Sequence, residues 1–186
     1  MPVYPPSTIY IQMSDMPICI LDFDGVLHHD DVYYKRGVGI HMRAEGHTLF
    51  EWAPILIKLL DPRPDVRIVL STSWVRARSF EFAKSVLPDA LRARVVGSTF
   101  HNREFEKSAH DFMASGKAMT AFDYMTRGKQ VENYVGRRGL RRWFAIDNDV
   151  DGWPKWCEDR LVKTEDDTGI SDPEVQDRLR SILVAL

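Results

Sequence analysis

The sequence predicts an α/β protein built on a mostly parallel sheet with helices on both faces, and three observations carry that prediction. Short apolar runs such as Ile18-Cys19-Ile20-Leu21 and Ile68-Val69-Leu70 are continuous rather than alternating, the pattern of strands buried on both faces. Strand-like and helix-like segments alternate along the chain, which favours parallel strands joined by helical crossovers. Polar clusters fall where several of the apolar runs end, and open α/β sheets place their chemistry at the carboxyl ends of strands.

The strands are expected at 17–23, 66–71, 94–98, 142–147 and a short 160–164. Helices are expected at about 48–60, 76–87, in one or two pieces within 103–126, and at 129–137 and 173–185. The last has the clearest start, with Asp172 as N-cap and Pro173 in the first turn. Pro62, Pro64 and Pro88 punctuate helix ends. Residues 26–47 interrupt the alternation with His28, His29, Asp30, Asp31, three glycines and two adjacent tyrosines, and a β-hairpin flap or long loop is expected there. Residues 1–16 read as a Pro-rich lead-in of uncertain order ahead of a single domain, 17–186.

At 186 residues the chain can bury a substantial core, and its 28% charged and 44% hydrophobic residues are those of a globular protein. A formal charge of −2 argues against wholesale coating of nucleic acid and leaves room for a local basic patch. Two cysteines, Cys19 and Cys157, make neither a disulfide nor a zinc framework. No apolar run has the length of a membrane span, and the N-terminus lacks the basic and apolar regions of a signal peptide, so a cytoplasmic location is expected.

The richest segment is Asp22-Phe23-Asp24-Gly25 at the end of the first strand. Two carboxylates this close repel each other unless a cation or a shared proton compensates. The rest of the chain offers compensating groups in order. Ser71-Thr72-Ser73-Trp74 closes the second long strand with hydroxyls, Arg127-Gly128-Lys129 opens a helix with cations, and Asp147-Asn148-Asp149-Val150-Asp151 closes another strand with acids. Taken singly, each has a plain structural reading: turn-forming hydroxyls, a solvated helix cation, an Asx-rich turn.

In order and spacing these segments resemble the four motifs of the haloacid dehalogenase (HAD) superfamily of phosphotransferases, over roughly residues 17–170. The resemblance implies a Rossmann-like three-layer fold and a Mg²⁺-dependent phosphatase. Asp22 matches the nucleophile that forms an aspartyl-phosphate, and Asp24 the acid that protonates the leaving oxygen and then activates water. Ser71 matches the hydroxyl that binds the phosphoryl oxygens, with Thr72 and Trp74 adjacent as substrate-binding candidates. Asp147, Asp22 and the backbone carbonyl of Asp24 would hold Mg²⁺, an all-oxygen set suited to that ion. Two choices stay open. The cation is Lys129 or Arg127, with Lys129 preferred, and the second acid of the last motif is Asp151 or Asp149, with Asp151 preferred.

The 26–47 flap is too small for a separate cap domain, since independent domains start near ~50 residues. A small, helical insertion is expected at 99–126, leaving an open site that admits bulky phosphorylated substrates as well as small esters. The stretch 127–142, with Arg127, Lys129, Arg137, Arg138, Arg141 and Arg142 against only Glu132, is read first as a solvated helix end. Its alternative reading is an electropositive rim for a nucleic-acid end. Together with Trp74 it gives a slight preference for a nucleotide or nucleic-acid-end phosphate. Adjacent His28 and His29 are expected in an exposed loop without a catalytic role. Other readings of the whole chain are a phospho-receiver module, whose acids fall in a different order, and a catalytically silent HAD fold used for binding.

Overall fold

The computed structural model describes residues 13–35, 37–105, 107–113 and 116–186. In chain order its strands are β1 (Ile18–Leu21), β2 (Val32–Lys35), β3 (Gly39–Met42), β4 (Arg67–Leu70), β5 (Val95–Ser98), β6 (Lys107–Phe112), β7 (Ala118–Thr120), β8 (Trp143–Asp147) and β9 (Leu161–Lys163). Its helices are α1 (Ala53–Leu60), α2 (Ser73–Ala77), α3 (Phe80–Ser85), α4 (Asp89–Arg92), α5 (Arg127–Arg138) and α6 (Pro173–Ala185).

The sheet has the order β5-β4-β1-β8-β9 and every pairing is parallel. Alternation along the strands divides the core in two. Cys19, Leu21, Ile68, Leu70, Phe144 and Ile146 face one side, where α1 and α6 supply Leu56, Leu60, Leu179 and Leu183. Ile18, Ile20, Val69, Trp143 and Ala145 face the other, under Val131, Tyr134 and Val135 of α5. Continuous apolar runs were required because both faces of these strands are covered. The result is an α/β Rossmann-like fold, and its five strands lie within two residues of the predicted spans.

Three predicted helical segments differ from the structure. The helix expected at 48–60 begins only at Ala53, because Phe50 adopts a left-handed backbone conformation (φ 61°) that stops propagation toward the N-terminus. The helix expected at 76–87 is two pieces. Thr72 starts α2 by accepting the Trp74 N–H, the helix breaks at Arg78 (φ −113°, ψ −89°), and Ser79 caps α3 by accepting the Phe82 N–H. The helical insertion expected within 99–126 is instead the antiparallel hairpin β6–β7, followed by a 3-10 turn at Ala121–Tyr124. Gly116 (φ 78°) donates its N–H to Met113 O, closing a turn that a helix cannot contain.

Within 26–47, β2 and β3 form a second antiparallel hairpin, with Gly37 and Gly39 at positive φ near its turn. The lead-in lies outside the described residues through residue 12, and Met13–Asp15 forms a 3-10 turn. No helix among the described residues is long and apolar enough to cross a membrane.

Candidate active site

The chain builds the sheet outward from β1 to β4 and β5, then returns to add β8 and β9 on the other side. The order therefore reverses at β1, and a crevice must open above its carboxyl end. Register fixes what lines that crevice. Leu21 pairs with Leu70 and with Ile146, so the next residues, Asp22, Ser71 and Asp147, emerge side by side. Ser71 N–H donates to Leu21 O (2.8 Å) and Asp22 N–H to Ile146 O (3.1 Å), holding the three strand ends in step.

Asp22, Ser71 and Asp147 are buried, and Arg127 ties them together. Its Nη2 donates to Asp22 Oδ2 (3.0 Å), its Nε lies 3.2 Å from Asp147 Oδ2, and its Nη1 bonds the Ser71 carbonyl with Ser71 Oγ at 3.4 Å. Asp22 Oδ1 accepts the N–H of Phe23 (2.8 Å). Lys129, the preferred cation from sequence, is elsewhere. It is exposed and paired with Glu132 (2.6 Å). The reason is angular: two residues turn an α-helix by roughly 200°, so when Arg127 faces the strand ends Lys129 faces away. Close packing seats the first turn of α5 there. Gly128 donates to Asp151 O (2.9 Å), and a Cβ on Gly128 would lie 2.4 Å from the backbone of Gly152 and Trp153.

Asp24 has its own support. Trp74 Nε1 donates to both of its carboxylate oxygens (3.0 Å each), and His28 Nε2 lies 3.0 Å from Oδ1. The N–H of Phe50 donates to His28 Nδ1 (3.2 Å), which leaves the ring proton on Nε2, directed at Asp24. Phe23, Phe50, Trp74 and His28 pack edge to face around this clamp. Gly25 lets the chain turn beneath it, at φ 67° and with Asn148 Nδ2 where a Cβ would be (2.4 Å).

Several sequence expectations are corrected by these contacts. Trp74 is 3% exposed and cannot stack on a substrate ring, because its ring stacks on Phe82, meets Phe23 and Phe50 edge to face, and gives its N–H to Asp24. Thr72 caps α2 and hydrogen-bonds Asp22, and it lines the cleft beside the strand ends as the sequence expected. His28 is wholly buried rather than in an exposed loop, while His29 accepts the N–H of Asp31. Of the two later acids it is Asp149, not the preferred Asp151, whose charge reaches both Arg127 and Asp147. Asp147 Oδ1 accepts the Asp149 N–H (3.0 Å), and Asp149 Oδ1 in turn accepts the Asp151 N–H (2.9 Å), so Asp149 is the nearer link to Asp147 although both acids are exposed and line the cleft beside the strand ends. The basic run 127–142 is dispersed: Arg137 and Arg138 bond Glu104, Arg141 lies 3.6 Å from Asp15, and Arg142 bonds the Leu186 carbonyl.

The electrostatics show a deficit of positive charge. Burial pushes the Asp22 carboxyl up to about 6, with Arg127 opposing and Asp24 adding to the rise. Burial and the Asp22 charge push Asp147 well above the carboxylate range. Arg127 is the one guanidinium facing Asp22, Asp24, Asp147 and Asp149 among the described residues. A phosphate dianion would be repelled by this surplus, and a hard divalent cation among carboxylate oxygens would cancel it. The donor set therefore fits Mg²⁺, which Asp22 and Asp147 would hold, although no cluster of three or more acidic, His or Cys side chains among the described residues makes a closed metal cage. Mg²⁺ keeps several waters and needs few protein ligands.

Paired acids on the central strand, a hydroxyl on one neighbouring strand and an acid on the other define a HAD superfamily site at the switch point of a Rossmann-like sheet. Residues 18–175 match the family described as the HAD domain in Swiss Army Knife RNA repair proteins, and the chain belongs to that family. Neither the curated proteins nor the solved structures contain a match to it.

Proposed function

We propose that this protein is a Mg²⁺-dependent phosphatase that removes a terminal phosphate from nucleic acid through an aspartyl-phosphate on Asp22. The observation that carries the reading is the separate fixing of the two acids: Asp22 by Arg127 beside Ser71, Asp24 by Trp74 and His28. Two roles need two environments. The family's description as RNA repair supports the choice of a nucleic-acid end over a small ester.

Asp22 attacks phosphorus while Arg127 and Ser71 hold the phosphoryl oxygens. The ester P–O bond breaks, its electron pair stays on the leaving oxygen, and protonated Asp24 delivers the proton there. Asp24, now ionised, takes a proton from water as the water attacks the phosphorus of the acyl phosphate. Phosphate leaves and the Asp22 carboxylate is restored. Asp22, Asp147 and the Asp24 backbone carbonyl would hold Mg²⁺, which when bound neutralises charge between these carboxylates and the phosphate. Asp149 stands as the second acid of that motif.

A single domain with two hairpins in place of a cap domain suits such a substrate. Beside the strand ends lies a cleft of about 390 Å³ bounded by Ser71, Thr72, Arg76, Arg127 and Gln130. The test is phosphate release from oligoribonucleotides phosphorylated at the 3′ or the 5′ end, compared with mononucleotides and an aryl phosphate, in Mg²⁺ and in EDTA. Metal-dependent release from an oligonucleotide, lost in Asp22→Asn, is expected. Failure to release phosphate from all of these with Mg²⁺ present would overturn the reading in favour of a silent binding fold.

A further inference from the structure

We infer that the hollow lined by Arg78, Arg103 and Lys117, next to the catalytic cleft, binds the backbone of a single polynucleotide strand adjoining the phosphate removed. The inference rests on the phosphatase reading above and extends it from the end of the strand to its body.

The hollow has a volume of about 470 Å³ and sits on the same edge of the sheet as the catalytic cleft, between the segments that follow β4 and β5. Arg76 lines both cavities and so forms the wall between them. Its own charge is used: the guanidinium bonds Asp123 (2.7 and 2.5 Å), and both side chains are 8% exposed. Among the described residues, Arg78 and Lys117 are not matched in this way. Among the described residues, no carboxylate lines the hollow, whereas Arg78, His101, Arg103 and Lys117 do. Arg78 donates to the Tyr34 hydroxyl (3.3 Å) and Lys117 to the Arg78 carbonyl, and neither acceptor carries a negative charge. Burial together with the neighbouring Arg76 and Arg78 charges pushes the Lys117 ammonium below its ordinary value. Like charges held together in this way are relieved by an anion.

A phosphate backbone is the occupant favoured by what surrounds these cations. Arg78 lies under the ring of Tyr34 (5.4 Å), which stands on the β2–β3 hairpin and is 45% exposed. Cations along a groove with an exposed aromatic face beside them are the parts from which sequence-tolerant single-strand sites are made, phosphates on the cations and a base on the ring. The cations come from three separate segments (α2 and its end, the loop after β5, and the strand approach to β7), which is why no basic run in the sequence announces them.

The probe is a fluorescent oligoribonucleotide with hydroxyls at both ends, so that terminal-phosphate chemistry takes no part, and anisotropy is read over a salt series. The full chain is expected to bind it with an affinity that falls as salt rises. The double variant Arg78→Gln/Lys117→Gln is expected to bind at least about ten-fold more weakly at low salt, with the slope of log affinity against log salt reduced by about 1.4, about 0.7 for each phosphate no longer neutralised. Arg180→Gln removes one charge from α6, which packs on a face of the sheet and contributes nothing to the lining of the hollow, and is expected to leave binding unchanged. Absence of binding by the wild type, wild-type affinity and slope in the double variant, an equal loss in Arg180→Gln, or equal competition by polyglutamate would each overturn the inference. Aryl phosphate hydrolysis, measured in parallel, separates the two claims. Its absence with oligonucleotide binding intact removes the phosphatase reading, and its presence without binding removes this one.

Discussion

Replacing Asp22 by Asn is expected to abolish turnover and, in the absence of metal, to stabilise the protein. Asp22 is 4% exposed. Burial raises its carboxyl from 3.8 to about 6, a rise that Arg127 opposes and Asp24 enlarges. A folded-state value above the unfolded one means that the native state prefers the protonated acid. Below about pH 4 both states are protonated and the group is neutral in its effect. Between about pH 4 and 6 ionisation becomes progressively unfavourable to folding, and above that the penalty is constant. A gap of about two, at about 1.4 kcal/mol each, makes that penalty about 3 kcal/mol. Asn carries no charge at any pH, so Asp22→Asn at pH 8 in EDTA is expected to exceed wild type by up to about 3 kcal/mol, or roughly 6–12 °C in Tm for a chain of this size. At pH 4 the two should converge. Mg²⁺ should raise the wild-type Tm and leave the variant nearly unmoved, because the ion compensates a charge that the variant lacks. Thermal unfolding by circular dichroism, with and without Mg²⁺, measures all of this. A variant no more stable than wild type at pH 8 in EDTA would refute the electrostatic reasoning.

Trp74→Phe keeps an aromatic ring against Phe23 and Phe50 but removes the donor to both Asp24 oxygens, so kcat is expected to fall about 10- to 100-fold, within the range of a general acid's contribution, with Tm little changed. An unaltered kcat would show that Asp24 needs no such support. Arg127→Ala is expected to lose about 10²–10³ in kcat, the scale of one preorganised donor, whereas Lys129→Ala should stay within about two-fold of wild type; the reverse order in a steady-state assay would restore Lys129 as the phosphate-binding cation. Asp123→Asn leaves Arg76 buried and uncompensated and should cost about 3–5 kcal/mol in denaturant unfolding. Burial acts to raise the Asp123 carboxyl, but the bonds from Arg76 and Thr120 outweigh it and hold the value below normal, so this stabilisation is present at neutral pH and fades as pH drops below about 4. An Asn variant with wild-type stability at pH 7 would contradict that account.

The sheet was legible because burial on both faces writes itself as uninterrupted apolar runs, and α6 because Asp172 and Pro173 mark its start. The acids were legible because Asp22, Asp24 and Asp147 each follow or end such a run. What sequence could not show is rotation and distance. Arg127 and Lys129 are two residues apart, and only the seating of Gly128 against Gly152 decides which one faces Asp22. Trp74 reads as a substrate-binding candidate and His28 as part of an exposed loop, since nothing local reveals that both point at Asp24 from 50 and 4 residues away. The break at Arg78 has a signal in Ser79, a good helix cap that a continuous helix would leave unused. The β6–β7 hairpin had one in Gly116, which no helix interior favours.

In the proposed mechanism the Asp22 carboxylate itself takes the phosphoryl group. The most direct test of that step is an acid quench of the full chain during turnover of an oligoribonucleotide carrying a radiolabelled terminal phosphate, followed by peptide mapping. The label is expected on the peptide containing Asp22, released by hydroxylamine as an acyl phosphate must be and missing in Asp22→Asn. Label at another residue, or steady release of phosphate by Asp22→Asn, would contradict it.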